Sequence, residues 1–259
     1  MTDTVSSSKD LDILGRFEDR VQYSDYQDAE EELERLFPGR SIGYVLLVAP
    51  PDADMTMFNF RTGRRGRYWN FAPYGLGTLA THLRNLEIDV EILNLNNVML
   101  KACNNSQDEE NFDFNGIWKE ALASALESRR PNLVGITCMF TQTHQSTVNV
   151  CNEVKRIIPQ VPVSIGGVHI TNSFVNDKTS ASLVRDLAKA DLFFVYEAEL
   201  ALKEFTQIVN KEKEVKATGG VVGSGYHSNE TEPVVIELMP EITQKDIDQA
   251  MIILYDSIR

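Results

Sequence analysis

Three short polar stretches stand where apolar runs stop: "TQTH" (141–144), "GGVHIT" (166–171) and "YEAE" (196–199). Thr137, Thr141 and Thr143 offer hydroxyls there, Gln142 an amide, and His144 and His169 imidazoles. Gly166 and Gly167 lack the Cβ that keeps a ligand away from the main chain. Free N–H groups at the start of a following helix receive phosphate or amide oxygens. A fourth stretch, "APYGLGTLA" (72–80), can be read as G-x-G-x-x-A, the turn that holds a dinucleotide pyrophosphate. That reading fails two tests. Its first glycine must directly follow the first strand, whereas Gly75 lies beyond a long loop carrying Pro50, Pro51 and Pro73. The next strand ends in Asn94 and Asn96, not in the acid that grips a ribose. Gly75 and Gly77 are better suited to close packing of a helix on the sheet or against a bulky ligand. A phosphoacceptor receiver domain is excluded by the same comparison, since "APPD" and "YEAE" stand where its acidic cluster and lysine belong.

Redox and charge chemistry are bounded next. The three cysteines, Cys103, Cys138 and Cys151, fit neither a disulfide framework nor a zinc ribbon, and a reducing, cytoplasmic setting is expected. Cys138, mid-run among apolar residues, reads as a small buried hydrophobe. Arg61, Arg64, Arg65 and Arg67 alternate with Gly63, Gly66, Tyr68 and Trp69. Such a cluster holds a phosphate or carboxylate, docks another domain, or is simply a solvated loop. The formal net charge of -13 disfavours nucleic acid as a partner. No apolar run reaches the length of a membrane span, and the polar N-terminus lacks a signal peptide's core.

The elements that must position these groups follow from periodicity. Apolar runs at 43–49, 89–95, 132–140, 161–167 and 191–196 read as strands, mostly buried on both faces. Amphipathic segments at 73–86, 116–130, 143–158, 178–189 and 199–210 read as the intervening helices, and 96–113 as a polar loop. This series predicts an α/β fold with a doubly wound, mostly parallel five-stranded sheet of the Rossmann or flavodoxin type over residues 42–212. Residues 1–41 form an acidic leader with a helix over 28–37, packed on or tethered beside the main domain. Residues 213–259 read as a β-hairpin ("ATGGVVGSGYH" and "EPVVIEL") and an amphipathic C-terminal helix over 244–258, a possible linker to a further domain. In such sheets ligands bind over the carboxyl ends of the strands, where the polar stretches lie.

Taken together, "VLLVAPP", "P-x-GLGTLATHLRN", "VEILNLN", "NLVGITCMFTQTHQSTVNVCNEVKRIIP", "VPVSIGGVHIT" and "ADLFFVYEAELALKEF" resemble the cobalamin-binding domain that precedes the catalytic barrel of cobalamin-dependent radical S-adenosylmethionine enzymes. The resemblance covers about residues 42–210 and implies a corrin lying across the strand ends with its nucleotide tail beside the third and fourth strands. It implies cofactor contacts from Pro73, Gly75, Thr137, Thr141, Gln142, Thr143, Gly166, Gly167, Val168, His169 and Glu197. Glu197 and Glu199 match the family's G-E-G-E, with Tyr196 and Ala198 in place of its glycines. Residues 50–72 contain no histidine, so the D-x-H-x-x-G of other cobalamin carriers is missing and base-off cobalamin is implied. The C-x-x-x-C-x-x-C that holds a four-iron cluster is missing too, so iron–sulfur cluster and S-adenosylmethionine enter only with a further catalytic domain, in cis or in trans. The chain is therefore expected to be the cobalamin-binding piece of a longer methyltransferase-like enzyme, or a free-standing carrier. Two other readings stay open: a cofactor-free interaction module of the same fold, and a nucleotide- or flavin-binding α/β protein.

Overall fold

The computed structural model describes residues 23–174, 177–196, 198–213 and 221–223. Helix α1 (Tyr23–Leu36) leads into β1 (Tyr44–Ala49), followed by α2 (Phe60–Arg64), α3 (Tyr74–Arg84), β2 (Asp89–Asn94), α4 (Leu95–Asn105), α5 (Phe114–Ser128) and β3 (Leu133–Thr137). A short 3-10 turn, Thr141–Thr143, precedes α6 (His144–Ile157). Then come β4 (Val163–Gly166), α7 (Val168–Phe174), α8 (Asp177–Asp186), β5 (Leu192–Phe194), α9 (Ala198–Val209) and β6 (Val221–Gly223). The sheet order is β2-β1-β3-β4-β5-β6. The first five strands are parallel, as expected of strands joined by helical crossovers, and β6 pairs antiparallel to β5.

β1 is buried at every position, which explains its unbroken apolar sequence YVLLVA. Its side chains nevertheless part between two cores with the strand period of two. Leu46 and Val48 join Val134 and Ile136 under α4, α5 and α6, with Trp118, Leu122 and Val154 as large members. Val45 and Leu47 face the other way, against Leu76, Ala80 and Leu83 of α3 and Leu202, Phe205 and Ile208 of α9. Phe193 and Phe194 of β5 split in the same manner.

The leader helix is part of that second core. Leu33, Leu36 and Phe37 are buried in it, and the Phe37 ring meets Phe205 edge-on at 5.7 Å. Behind the helix Arg40 is buried, donating Nε to the Val209 carbonyl (3.2 Å) and Nη2 to the Ile208 carbonyl (2.7 Å), and pairing with Glu30. The last carbonyls of α9 lack intrahelical donors, and a guanidinium there satisfies them while complementing the helix dipole.

Two expectations need correction. Residues 96–113 are not all loop, because Leu95–Asn105 is helical. Asn94 caps that helix by accepting from the Asn97 N–H (3.0 Å), and Leu95, Met99 and Cys103 recur on its buried side. Asparagine-rich composition, poor in helix propensity, concealed that stripe. The third strand stops at Thr137, not 140, because Cys138 already turns out of the β1 ladder while its N–H still donates to the Gly166 carbonyl (2.7 Å). The five parallel strands are as expected, and the first half of the expected hairpin adds β6 at the edge, antiparallel to β5. The second half of that hairpin and the helix over 244–258 lie outside the described residues. Among the described residues no helix is long and apolar enough to cross a membrane.

Replacing Arg40 with Ala takes the donor from the Val209 carbonyl and one of two from the Ile208 carbonyl, which keeps the Lys211 N–H (3.1 Å). The expected outcome is a loss of about 1–3 kcal/mol, read as a lowered urea midpoint at unchanged slope.

Candidate functional site

The exits of β3 and β4 are fastened to each other through one residue. The Cys138 N–H donates to the Gly166 carbonyl (2.7 Å), and the Cys138 carbonyl accepts from the His169 N–H (3.2 Å). Gly167 passes directly over this backbone with φ of 114°, a left-handed conformation that side chains disfavour. A Cβ at Gly167 would stand 2.6 Å from the Cys138 carbonyl oxygen, and one at Gly166 would stand 3.2 Å from the Phe194 carbonyl oxygen. The paired glycines thus serve a close approach within the chain itself.

That fastening brings the histidines together. His169 Nε2 lies 3.1 Å from His144 Nδ1, His144 Nε2 lies 3.3 Å from Asp186 Oδ2, and Thr141 Oγ1 lies 3.4 Å from His169 Nδ1. With both imidazoles neutral, a single proton order satisfies the set: Thr141 donates to His169, His169 to His144, and His144 to Asp186. Burial, then the neighbouring His144, hold the His169 pKa below its ordinary value. Cys138 is buried beside them, and burial pushes its thiol pKa up.

The remaining sequence-selected residues divide by role. Thr143 is buried, donating its hydroxyl to the Phe140 carbonyl (2.8 Å) and accepting from the Phe140 N–H (3.4 Å), so it shapes the turn. Thr137 is half-buried in register with Gly166, while Thr141, Gln142 and Val168 are exposed at the same exits. Gly75 opens α3 from the surface, where a Cβ would meet nothing within 4 Å, and half-buried Pro73 precedes that helix. Glu197 lies outside the described residues. Beside it Tyr196 holds φ of 59° and donates its N–H to Thr171 Oγ1 (2.8 Å), keeping with a tyrosine the left-handed geometry that glycine favours. One residue beyond Ala198, Glu199 Oε2 is buried without a hydrogen-bond partner.

The loop between β1 and α3 is well anchored. Phe58 stacks on Tyr68 (5.4 Å) and on Phe112 (5.9 Å), and packs on Phe114 (4.9 Å). Asn96 donates to Asp52 Oδ2 (2.9 Å) and accepts from the Asp52 N–H (3.2 Å), while Asn70 donates to Asn97 (2.9 Å). Asn96, at the place of a ribose-binding acid, and Asn97 beside it staple the loop to α4. Arg61 pairs with Glu109 (2.7 Å) and Arg64 donates to the Ser106 carbonyl, and all four arginines of the cluster are exposed.

Sequence reasoning missed the feature that dominates this end of the sheet. Met55, Met57, Trp69, Phe71 and Tyr74 from the first loop and helix are exposed, as are Met139 and Phe140 after β3, Val168 after β4 and Tyr196 after β5. These are the large exposed hydrophobic side chains among the described residues, and all lie at the carboxyl ends of strands or in the loop above them. Trp69 (74% exposed) and Phe71 (72%) stack at 5.5 Å and 6°. A concentrated apolar rim of this kind marks a surface meant to be covered. The signal was present as methionines and aromatics in segments too irregular to be strands. A cleft of about 440 Å³ at the opposite end, lined by Tyr44, Arg84 and Arg129 among others, is largely self-paired: Tyr44 donates to Glu91 (3.0 Å) and Arg129 pairs with Asp89 (2.5 Å).

Two measurements test this description. Burial raises the Asp52 pKa above 3.8, so the folded chain holds that proton to higher pH than the unfolded chain and stability falls as pH rises through the interval. Asp52→Asn is expected to raise the urea midpoint at pH 7 relative to the parent, with the gain vanishing below pH 3.8. Tyr196→Gly is expected to stabilise by about 0.5–1 kcal/mol by relieving left-handed strain, read by thermal unfolding.

The family model described as B12 binding domain matches residues 68–178, from the end of the first loop into α8. No curated protein matches the sequence significantly. Among solved structures, the radical S-adenosylmethionine methyltransferase TsrM from Kitasatospora setae, with cobalamin and an iron–sulfur cluster bound, is similar at a TM-score of 0.52 and 19% identity. That likeness covers 77% of this chain and 30% of TsrM. The cobalamin-dependent S-adenosylmethionine radical enzyme OxsB, with aqua-cobalamin and S-adenosylmethionine bound, is similar at 0.51 and 13% identity, over 85% of this chain and 26% of OxsB. This chain therefore spans less than a third of either enzyme's length, and the likeness is one of fold. Residues 68–178 are similar to the B12 binding domain family, within the Rossmann-like α/β fold that this chain shares with cobalamin-dependent radical S-adenosylmethionine enzymes.

Proposed function

We propose that this chain binds cobalamin base-off over the strand ends and presents it to a radical S-adenosylmethionine catalytic domain, in cis or in trans. The apolar rim carries the reading. A corrin is a broad, largely apolar disc fringed with amides, and Trp69, Phe71, Phe140 and Val168 supply a matching surface. Around it Thr141 and Gln142 are exposed to meet amide or phosphate oxygens, and the partnerless Glu199 Oε2 suits an amide donor. No histidine occurs in residues 50–72, so the first loop offers cobalt no imidazole.

Bound cobalamin would supply methyl transfer or one-electron relay, the chemistry belonging to the cofactor. The chain's part is to hold and orient it and to exclude water from its underside. Iron–sulfur cluster and S-adenosylmethionine belong, in this reading, to the separate catalytic domain.

The test is incubation with hydroxocobalamin, desalting and a visible spectrum. Retention of about one equivalent is expected. Val168→Trp places a bulky ring at a position already 52% exposed, so the fold is spared while the ligand is obstructed. Retention should weaken about tenfold or more, equivalent to about 1.4 kcal/mol. Colourless protein after desalting overturns the proposal; stable association with a partner enzyme would then identify an interaction module, and a retained yellow chromophore a flavin protein.

A further inference from the structure

We propose that Cys138, His144 and His169 form a binding site for a borderline-soft divalent cation of the zinc type, with a fourth position left to water or a ligand atom. The sulfur and one nitrogen of each imidazole lie within 4.8 Å of one another, on two separate loop exits. The facing atoms, His144 Nδ1 and His169 Nε2, are 3.1 Å apart, close to the separation of two nitrogens on a common tetrahedral zinc at bonds of about 2.0–2.1 Å. One thiolate with two imidazoles is a donor set that such ions favour.

The surroundings support this assignment. Metal-bound histidines pass their other N–H to a carboxylate or oxygen partner, which fixes the ring and the tautomer. His144 Nε2 has Asp186 Oδ2 at 3.3 Å, and His169 Nδ1 has Thr141 Oγ1 at 3.4 Å. Both rings therefore have outer partners on the side away from the shared space.

The protons balance simply. In the metal-free chain the Nε2 proton of His169 lies between the two rings. On binding, that proton moves to Nδ1, where it donates to Thr141, and Nε2 takes the metal. The Cys138 thiol loses its proton to solvent, so one proton is released per ion. No electron is transferred. The ion would tie the β3 exit to the β4 exit at side-chain level, next to the backbone fastening already present.

This inference does not rest on cobalamin binding, and its test uses the full chain freed of cobalamin under reducing conditions. Co²⁺ serves as the probe. Expected are uptake of one equivalent with a near-ultraviolet thiolate-to-cobalt band, four-coordinate visible bands, and displacement of both by Zn²⁺. Cys138→Ser and His169→Gln should abolish the charge-transfer band. Because Cys138 is buried, Asp186→Asn provides a control on an exposed residue that leaves the fold intact: affinity should fall about 10- to 100-fold with the band retained at saturation. Weak six-coordinate spectra alone, from the acidic surface, would overturn the site, as would a band unaltered in Cys138→Ser or an affinity unchanged in Asp186→Asn. Hydroxocobalamin retention is scored separately, so either reading can fail without the other.

Discussion

The close crossing of Gly167 over the Cys138 backbone is the constraint on which the candidate site depends. Two parallel strands diverge as they leave a sheet, and their exits need a reason to stay together. Here the reason is a pair of main-chain hydrogen bonds to one residue, possible because the crossing residue has no side chain. From that point α7 begins at Val168 and α6 at His144, so the starts of two helices, two imidazoles and the neighbouring hydroxyls are fixed relative to one another. The rim residues Met139, Phe140 and Val168 flank the same crossing.

Beneath it, the sheet divides its contacts evenly. Alternation along β1 sends Leu46 and Val48 to one core and Val45 and Leu47 to the other, and each core is closed by helices. The leader helix belongs to the second core through Leu33, Leu36 and Phe37, and Arg40 joins the leader to the end of α9. A charge so deeply placed is tolerated because carbonyls and a carboxylate take up its donors.

Much of the fold was legible because buried parallel strands are written as continuous apolar runs, and β1 is the clearest case. The helix over 95–105 was hidden because asparagine pairs open and close it, at 96–97 and 104–105, and tertiary burial of Met99 and Cys103 decides its state. The places of the glycine pair and the histidines after strands were legible, whereas the mutual distances were not, since His144 and His169 belong to different βα units. Thr143 looked like a ligand group by position, yet its hydroxyl is used by Phe140. The apolar rim escaped because periodicity is silent about hydrophobic residues in loops; Met55 and Trp69 announce themselves only once the backbone shows that nothing covers them.

The first loop is long enough that ordering it on association would normally cost much of the binding free energy. Its inner side is already committed, with Phe58 among Tyr68, Phe112 and Phe114, and with Asn96 and Asn97 gripping Asp52 and Asn70. The outward Trp69–Phe71 stack is thereby held on a preorganised frame. A flat guest settling there meets a surface whose entropy was surrendered during folding, so apolar contact translates into residence time with little deduction for induced order.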